Sequence, residues 1–339
     1  MGTAPRSGST KAWLAAAALC LASPAFPQSP STQEKTTNPL HCDPGTGLCV
    51  VPGPEGAART SAFKADAPQT KLLTLHYFTD PICSSCWGAE PQLRRLKLEY
   101  GALIDIQYHM GGLLPSWAGF NGGGINSPTD VAGHWDEVSP HYRMPIIGDV
   151  WLEDPLPSSF PPSIAFKAAQ LQDPAKALVF LRRQREQVLT EKKNITKWPV
   201  IAEAAQFAGL DTVRLRSDFA GAAPSLFQAD LTLARSLGVR GFPTFLFTNA
   251  AGERHVVHGA RPYPHFGAAV QRLAPEAKAA AMPTTLEGLL AVHASWCAEE
   301  VAVVLGTTHA QAEELLRVSE GRGELAAVHT RNGSVWRRK

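Results

Sequence analysis

Two cysteines separated by two serines, Cys83-Ser84-Ser85-Cys86, are the most chemically pointed feature of this sequence. They stand where an apolar strand pattern, Leu72-Leu73-Thr74-Leu75-His76-Tyr77-Phe78, passes through Thr79-Asp80-Pro81-Ile82 into a helical stretch that runs to Tyr100. A thiol at a helix start faces unpaired backbone N–H groups and the positive end of the helix dipole, and both favour the reactive thiolate. The second sulfur, one turn further on, is placed to resolve a mixed disulfide by intramolecular attack. On this reading Cys83 attacks and Cys86 resolves, with Cys83 the more accessible thiol of lower pKa. Half of a zinc site and a pair of buried structural thiols are the competing readings, although the sequence lacks a second C-x-x-C at zinc-ribbon spacing. Asp80 would oppose ionisation of Cys83 if it lay close, or would form an Asx turn ahead of Pro81. Pro91 should kink the helix that follows.

Gly241-Phe242-Pro243-Thr244-Phe245 is the second constellation. A proline opening a strand just after a helix and a glycine is a candidate cis peptide. The third is His41, Cys42 and Cys49, where Pro44, Gly45 and Gly47 form a tight reversal that brings the two cysteines together. It reads as a local disulfide or auxiliary dithiol, as a thiolate–imidazole metal site, or as plain thiols in a tail. His134, Glu137 and His141 could share a helix face with metal-ligand chemistry, but solvated or capping roles are commoner for such groups. Asn121-Gly122-Gly123-Gly124 is a loop without the Lys-Ser/Thr of a phosphate cradle. Cys297, beside Trp296 in an apolar helix, reads as a buried small hydrophobe.

The elements that must position these residues divide the 339-residue chain. Hydrophobic residues at 44% and charged residues at 18% supply a sizeable core and exclude a disordered chain. With 32 basic against 30 acidic residues, overall charge gives no reason to expect a polyanion partner. No apolar run approaches the ~20 residues of a membrane-spanning helix. Residues 1–25 read as a signal peptide, with Arg6 and Lys11 ahead of the apolar stretch Ala12 to Ala22 and small residues at Ser23-Pro24-Ala25. A Pro- and Gly-rich flexible tail, 26–70, carries the Cys42/Cys49 turn. Residues 71–275 hold a strand, a helix and a parallel strand (Ile104 to His109), a helical segment about 127–237, and returning strands at Thr244-Phe247 and Arg254-His258. A linker at 276–283 leads to a small unit, 284–339, of helix, helix-turn-helix and β-hairpin. Its pattern is winged-helix-like, yet it holds seven acidic and six basic residues from Met282 onward, and Glu313 and Glu314 lie on the would-be recognition helix. It is expected not to bind DNA.

The C-x-x-C and the Gly-Phe-Pro segment together resemble the thioredoxin superfamily, and the long helical insertion resembles its DsbA branch. Asp80-Pro81-x-Cys83-x-x-Cys86-Trp87 and Met110-Gly111-Gly112-Leu113-Leu114-Pro115 resemble the group of predicted dithiol–disulfide isomerases allied to YjbH/SpxH-type protease adaptors, over about Leu72 to Leu273. The resemblance implies an α/β thioredoxin-like fold with a DsbA-like helical insertion, plus the C-terminal α+β unit. It also implies that Phe242 and Pro243 lend their backbone to an extended substrate peptide opposite Cys83. Ser-Ser between the cysteines, where strongly oxidising members have Pro-His, points to a less oxidising couple. Related glutathione transferases of the kappa class have serine in place of the first cysteine, so glutathione conjugation is disfavoured. The function expected on these grounds is thiol–disulfide oxidoreductase or isomerase, periplasmic or secreted, without a cofactor, nucleic acid or membrane contact. Its partners would be protein thiols and disulfides and a redox protein that recycles the dithiol. The alternative is a non-catalytic adaptor of the same fold, in the cytoplasm if the N-terminal segment is not a signal.

Overall fold

A computed structural model of the chain describes residues 42–43, 45, 47–50, 71–118 and 125–339. The signal reading of 1–25, most of the tail reading of 26–70 and the Asn121-Gly124 loop lie outside the described residues. The described residues begin with a hairpin in which β1 (Cys42–Asp43) pairs antiparallel with β2 (Leu48–Val50), Cys42 opposite Cys49. β3 (Leu73–Thr79) is buried almost throughout, as its continuous apolar run requires. Two helices follow, α1 (Ser84–Gly88) and α2 (Glu90–Tyr100). The expected kink is a full break, because Pro91 has no N–H to continue the ladder and instead occupies the first turn of α2. β4 (Ile104–Met110) then pairs parallel with β3.

Seven helices lie between β4 and the returning strands among the described residues: α3 (Pro128–Tyr142), α4 (Val150–Glu153), α5 (Phe160–Gln172), α6 (Pro174–Thr190), α7 (Trp198–Phe207), α8 (Thr212–Ala220) and α9 (Ala223–Ser236). Local chemistry sets their starts. Asp173 accepts hydrogen bonds from the Ala175 and Lys176 N–H groups ahead of α6, with Pro174 opening the helix, and Asp211 caps α8 in the same way. β5 (Gly241–Phe242) leads through a cis Phe242–Pro243 peptide into β6 (Thr244–Asn249), β7 (Arg254–His258) and α10 (Tyr263–Leu273). The central sheet has the order β4-β3-β6-β7, with β6 antiparallel to both neighbours. Tyr77 of β3 stacks on Phe245 of β6 with ring centroids 4.5 Å apart, and Phe266 of α10 meets Phe245 edge-on. This is the thioredoxin-like α/β fold with a DsbA-type helical insertion.

The C-terminal unit comprises α11 (Leu286–Val292), β8 (Ser295–Trp296), α12 (Ala298–Leu305), α13 (His309–Gly321), β9 (Leu325–Thr330) and β10 (Gly333–Arg338). Its antiparallel sheet has the order β8-β10-β9, and its core gathers Trp296, Val301, Leu316, Leu325 and Trp336. The β9–β10 turn, which resembles a wing in the sequence, sits against the thioredoxin-like part. Asn332 Nδ2 donates to Asp136 of α3 and to the Ile146 carbonyl, and Arg331 pairs with Asp136 and Asp149 at 2.6 Å each. The wing's basic residue is therefore already matched by carboxylates. Among the described residues, no helix is long and apolar enough to cross a membrane.

Candidate functional site

Cys83 is the N-cap of α1, in extended backbone, and its Sγ accepts the Cys86 N–H at 3.2 Å. The helix start that the spacing calls for is present. The accessibility is not: Cys83 and Cys86 are each 0% exposed, and both are thiols. Burial pushes the Cys83 thiol well above its ordinary range, the neighbouring Cys86 thiol adds to that, and the Asp80 carboxyl contributes in the same direction. The favourable hydrogen bond from the Cys86 N–H does not offset the loss of solvent. Sequence spacing makes Cys83 the exposed, acidic thiol of the pair; the structure makes it a buried neutral one.

Asp80 fulfils both of its sequence readings. Its Oδ1 accepts from the Ile82 N–H in an Asx turn, while Oδ2 accepts from the Leu113 N–H at 2.8 Å and the Ser159 hydroxyl at 2.9 Å. It thus ties the start of α1 to the Met110–Pro115 segment and to α5. Full burial raises its pKa to about 6 despite these three donors. The folded chain therefore holds a proton that the unfolded chain releases near the ordinary value of 3.8, and this carboxyl's contribution to stability falls as pH rises between those two values. A site-resolved carboxyl carbon titration by NMR should give Asp80 a midpoint near 6. A midpoint in the ordinary carboxylate range would contradict this account.

The Gly-Phe-Pro segment lies where the sequence places it, but its surroundings differ. Phe242 is 1% exposed, and its ring rests on Gly111, where an added Cβ would stand 1.8 Å from Cζ. The backbone edge of β5 carries β2, antiparallel, with Cys49 opposite Phe242 and Val50 opposite Gly241. The chain's own hairpin therefore occupies the edge expected to receive a peptide. The backbone register brings Cys42 and Cys49 face to face, as the Gly- and Pro-containing turn requires; their side chains lie outside the described residues, as does His41. His134 is buried within α3, and among the described residues no group of three or more His, Cys, Asp or Glu side chains could hold a metal ion.

A second cluster was invisible in the sequence. Arg185 of α6 pairs with Glu90 of α2 and donates to Thr79 Oγ1 of β3 at 2.5 Å. Arg182, on the same helix, lies 4.1 Å over the Trp87 ring and reaches Glu186 at 2.8 Å and Glu300 at 2.7 Å. Arg94 joins Glu300 at 3.0 Å and donates to the Ser295 carbonyl at 2.7 Å. Arg337 closes on Glu186 at 2.8 Å. Opposite charges four apart, such as Arg182 and Glu186, ordinarily mark a solvated helix face, so nothing in the sequence announces their burial.

Comparison with known proteins follows from this geometry. The family model described as Thioredoxin matches residues 76–267. The ClpXP adapter protein SpxH of Halalkalibacterium halodurans is 33% identical over 306 residues, covering 88% of this chain and 97% of the relative. The ClpXP adapter protein SpxH of Bacillus subtilis is 27% identical over 276 residues, covering 79% and 89%. A solved structure from Nitrosomonas europaea, proposed to be a protein disulfide isomerase, is 19% identical, with a TM-score of 0.50 over 61% of this chain and 97% of its own. That likeness speaks to fold alone.

These findings correct the functional expectation drawn from the C-x-x-C. Relatives aligned over most of the chain are protease adapters, which overturns the reading of a thiol–disulfide oxidoreductase or isomerase, its redox-active centre, and partners defined by their thiols, disulfides or recycling role. The same relatives overturn the periplasmic or secreted location. The physical reason lies in the site: a sulfur with no solvent access and a disfavoured thiolate is poorly placed to attack a disulfide.

Proposed function

Because this chain belongs to the thioredoxin family, in the branch of the SpxH adapters, we propose that it is a non-catalytic protease adaptor that holds a client protein and presents it to ClpXP. The observation that carries the reading is the reach of the likeness: 88% of the chain aligns with a ClpXP adapter, well beyond the 76–267 stretch that the thioredoxin family model matches. The buried dithiol supports it. Cys83 and Cys86 would serve the architecture, the sulfur of one closing the first turn of α1 by accepting the N–H of the other. Phe242 and Pro243 would contribute a backbone edge for an extended client segment instead of a reaction site. The partners are then ClpXP and a client, and the place of action is the cytoplasm, where that protease works.

Reconstitution tests this directly. Purified ClpXP should degrade a client several-fold faster when this chain is added. The Cys83→Ser/Cys86→Ser variant should stimulate within about twofold of the unaltered chain, since serine preserves the size and the acceptor of each side chain. Failure of the unaltered chain to accelerate degradation of any client candidate, or loss of stimulation in a folded serine variant, would sink the reading.

A further inference from the structure

The hairpin on β5 is unusual in its place. β5 has two residues and stands outside the four-stranded sheet; its partner in hydrogen bonding is β2. The same backbone groups of Gly241 and Phe242 that pair with Val50 and Cys49 are those an extended peptide would use, and β2 also packs beside α1, which carries the dithiol. The hairpin's turn is pinned at one further point. Gly47 is buried at φ +65°, its carbonyl accepts the Ala260 N–H at 3.0 Å, and a Cβ on it would stand 2.6 Å from that nitrogen. A cleft of about 570 Å³ borders the turn between Gly45, Gly47, Gly88 and Ala260.

We propose that β2 is a built-in ligand for the edge of β5, and that a client's extended segment binds by strand exchange, displacing β2 from Gly241 and Phe242. The identity of the incoming strand rests on the adaptor reading; the exchange itself does not. Incoming and outgoing strands make the same main-chain hydrogen bonds, so the exchange is close to balanced in those bonds. What favours the resident strand is its tether, equivalent to an effective concentration on the order of millimolar. Because β2 lies beside α1, a vacated edge would open the start of that helix, where Cys83 stands.

The test uses the full chain and its Gly47→Val variant, in which a branched side chain at positive φ and against the Ala260 backbone unseats the turn. The probe is a fluorescein-labelled peptide with the sequence of residues 42–54, carrying Cys42→Ser and Cys49→Ser. The variant should bind this peptide at least about tenfold more tightly than the unaltered chain, and iodoacetamide should label its Cys83 at least about tenfold faster under native conditions. Equal binding and equal labelling overturn the proposal. Hydrogen exchange on the unaltered chain decides the matter even if the variant does not fold. Amides of 48–50 and 241–242 should open together and more readily than those of β3, whereas exchange of all three only through global unfolding overturns it. Exchange as expected without stimulation of ClpXP would count against the adaptor reading alone.

Discussion

Glu300→Ala should lower the free energy of unfolding by about 3 kcal/mol, because it removes the shared carboxylate of a buried guanidinium, Arg94, and a largely buried one, Arg182. Glu300 is 0% exposed and receives Arg94 at 3.0 Å, Arg182 at 2.7 Å and the Cys297 N–H at 2.7 Å. With alanine in its place, both arginines keep their charge in a site that solvent hardly reaches, and Arg182 retains Glu186 alone on that side. The cost is that of uncompensated charge, well above the worth of an exposed pair. Glu300→Gln, which keeps an acceptor for the Cys297 N–H, should lose less. Denaturant unfolding at neutral pH measures both, and a loss below about 1 kcal/mol for the alanine variant would show that water enters the site freely.

This network also explains how a small C-terminal unit is held. Arg94 lies on α2 and Arg182 on α6, whereas Ser295, Glu300 and Arg337 come from β8, α12 and β10. Arg94 lies 4.5 Å over the Trp296 ring and Arg182 4.1 Å over that of Trp87, so the charges are packed between aromatic faces of both parts. The wing is anchored separately, with Arg331 and Asn332 engaged by Asp136 of α3. A groove-reading role would require these side chains to be turned outward. Their positions instead hold the unit against the thioredoxin-like part.

The parts legible in the sequence are those set by local pattern. The buried strand Leu73–Thr79, the helix start at Cys83, the Gly-Phe-Pro turn and the helical insertion each follow from residues near one another in the chain. Three things were not legible, for different reasons. The pairing of β2 with β5 joins residues nearly two hundred positions apart, through a three-residue strand in a Gly- and Pro-rich segment with no periodicity to read. The burial of Arg185 and Glu186, and the near-burial of Arg182, depend on what packs over α6, and their spacing matches that of a solvated face. The function was misread because a helix-start C-x-x-C predicts a thiolate only when solvent reaches it, and Cys83 lies beneath other elements. A thioredoxin-like fold hosts catalysis and adaptor work alike, so the motif could not choose between them.

Gly111→Ala should be the most damaging single-methyl addition near the candidate site. Gly111 follows β4, donates its N–H to the Thr79 carbonyl at 2.7 Å, and lies directly against the Phe242 ring. An alanine Cβ there would stand 1.8 Å from Cζ and 2.3 Å from both Cε atoms, distances no side chain tolerates. The ring is buried and cannot swing to solvent, so Phe242 itself must move, and with it the β5 edge that carries β2. Overpacking of this kind costs about 1–3 kcal/mol, and the steepness of the clash places Gly111→Ala at the upper end. Phe242→Ala alone should cost about 3–5 kcal/mol by leaving a cavity. The two changes answer one another: in the double variant the methyl occupies space the ring has vacated, so the combined loss should fall short of the sum by about 1 kcal/mol or more. Urea unfolding of the four chains completes the cycle, and strict additivity would show that Gly111 and Phe242 do not share the contact. Native-state labelling of Cys83 adds a functional readout, since a displaced Phe242 should loosen the hairpin and speed alkylation in Gly111→Ala. Unchanged labelling would mean that the ring can yield without disturbing the strand edge it supports.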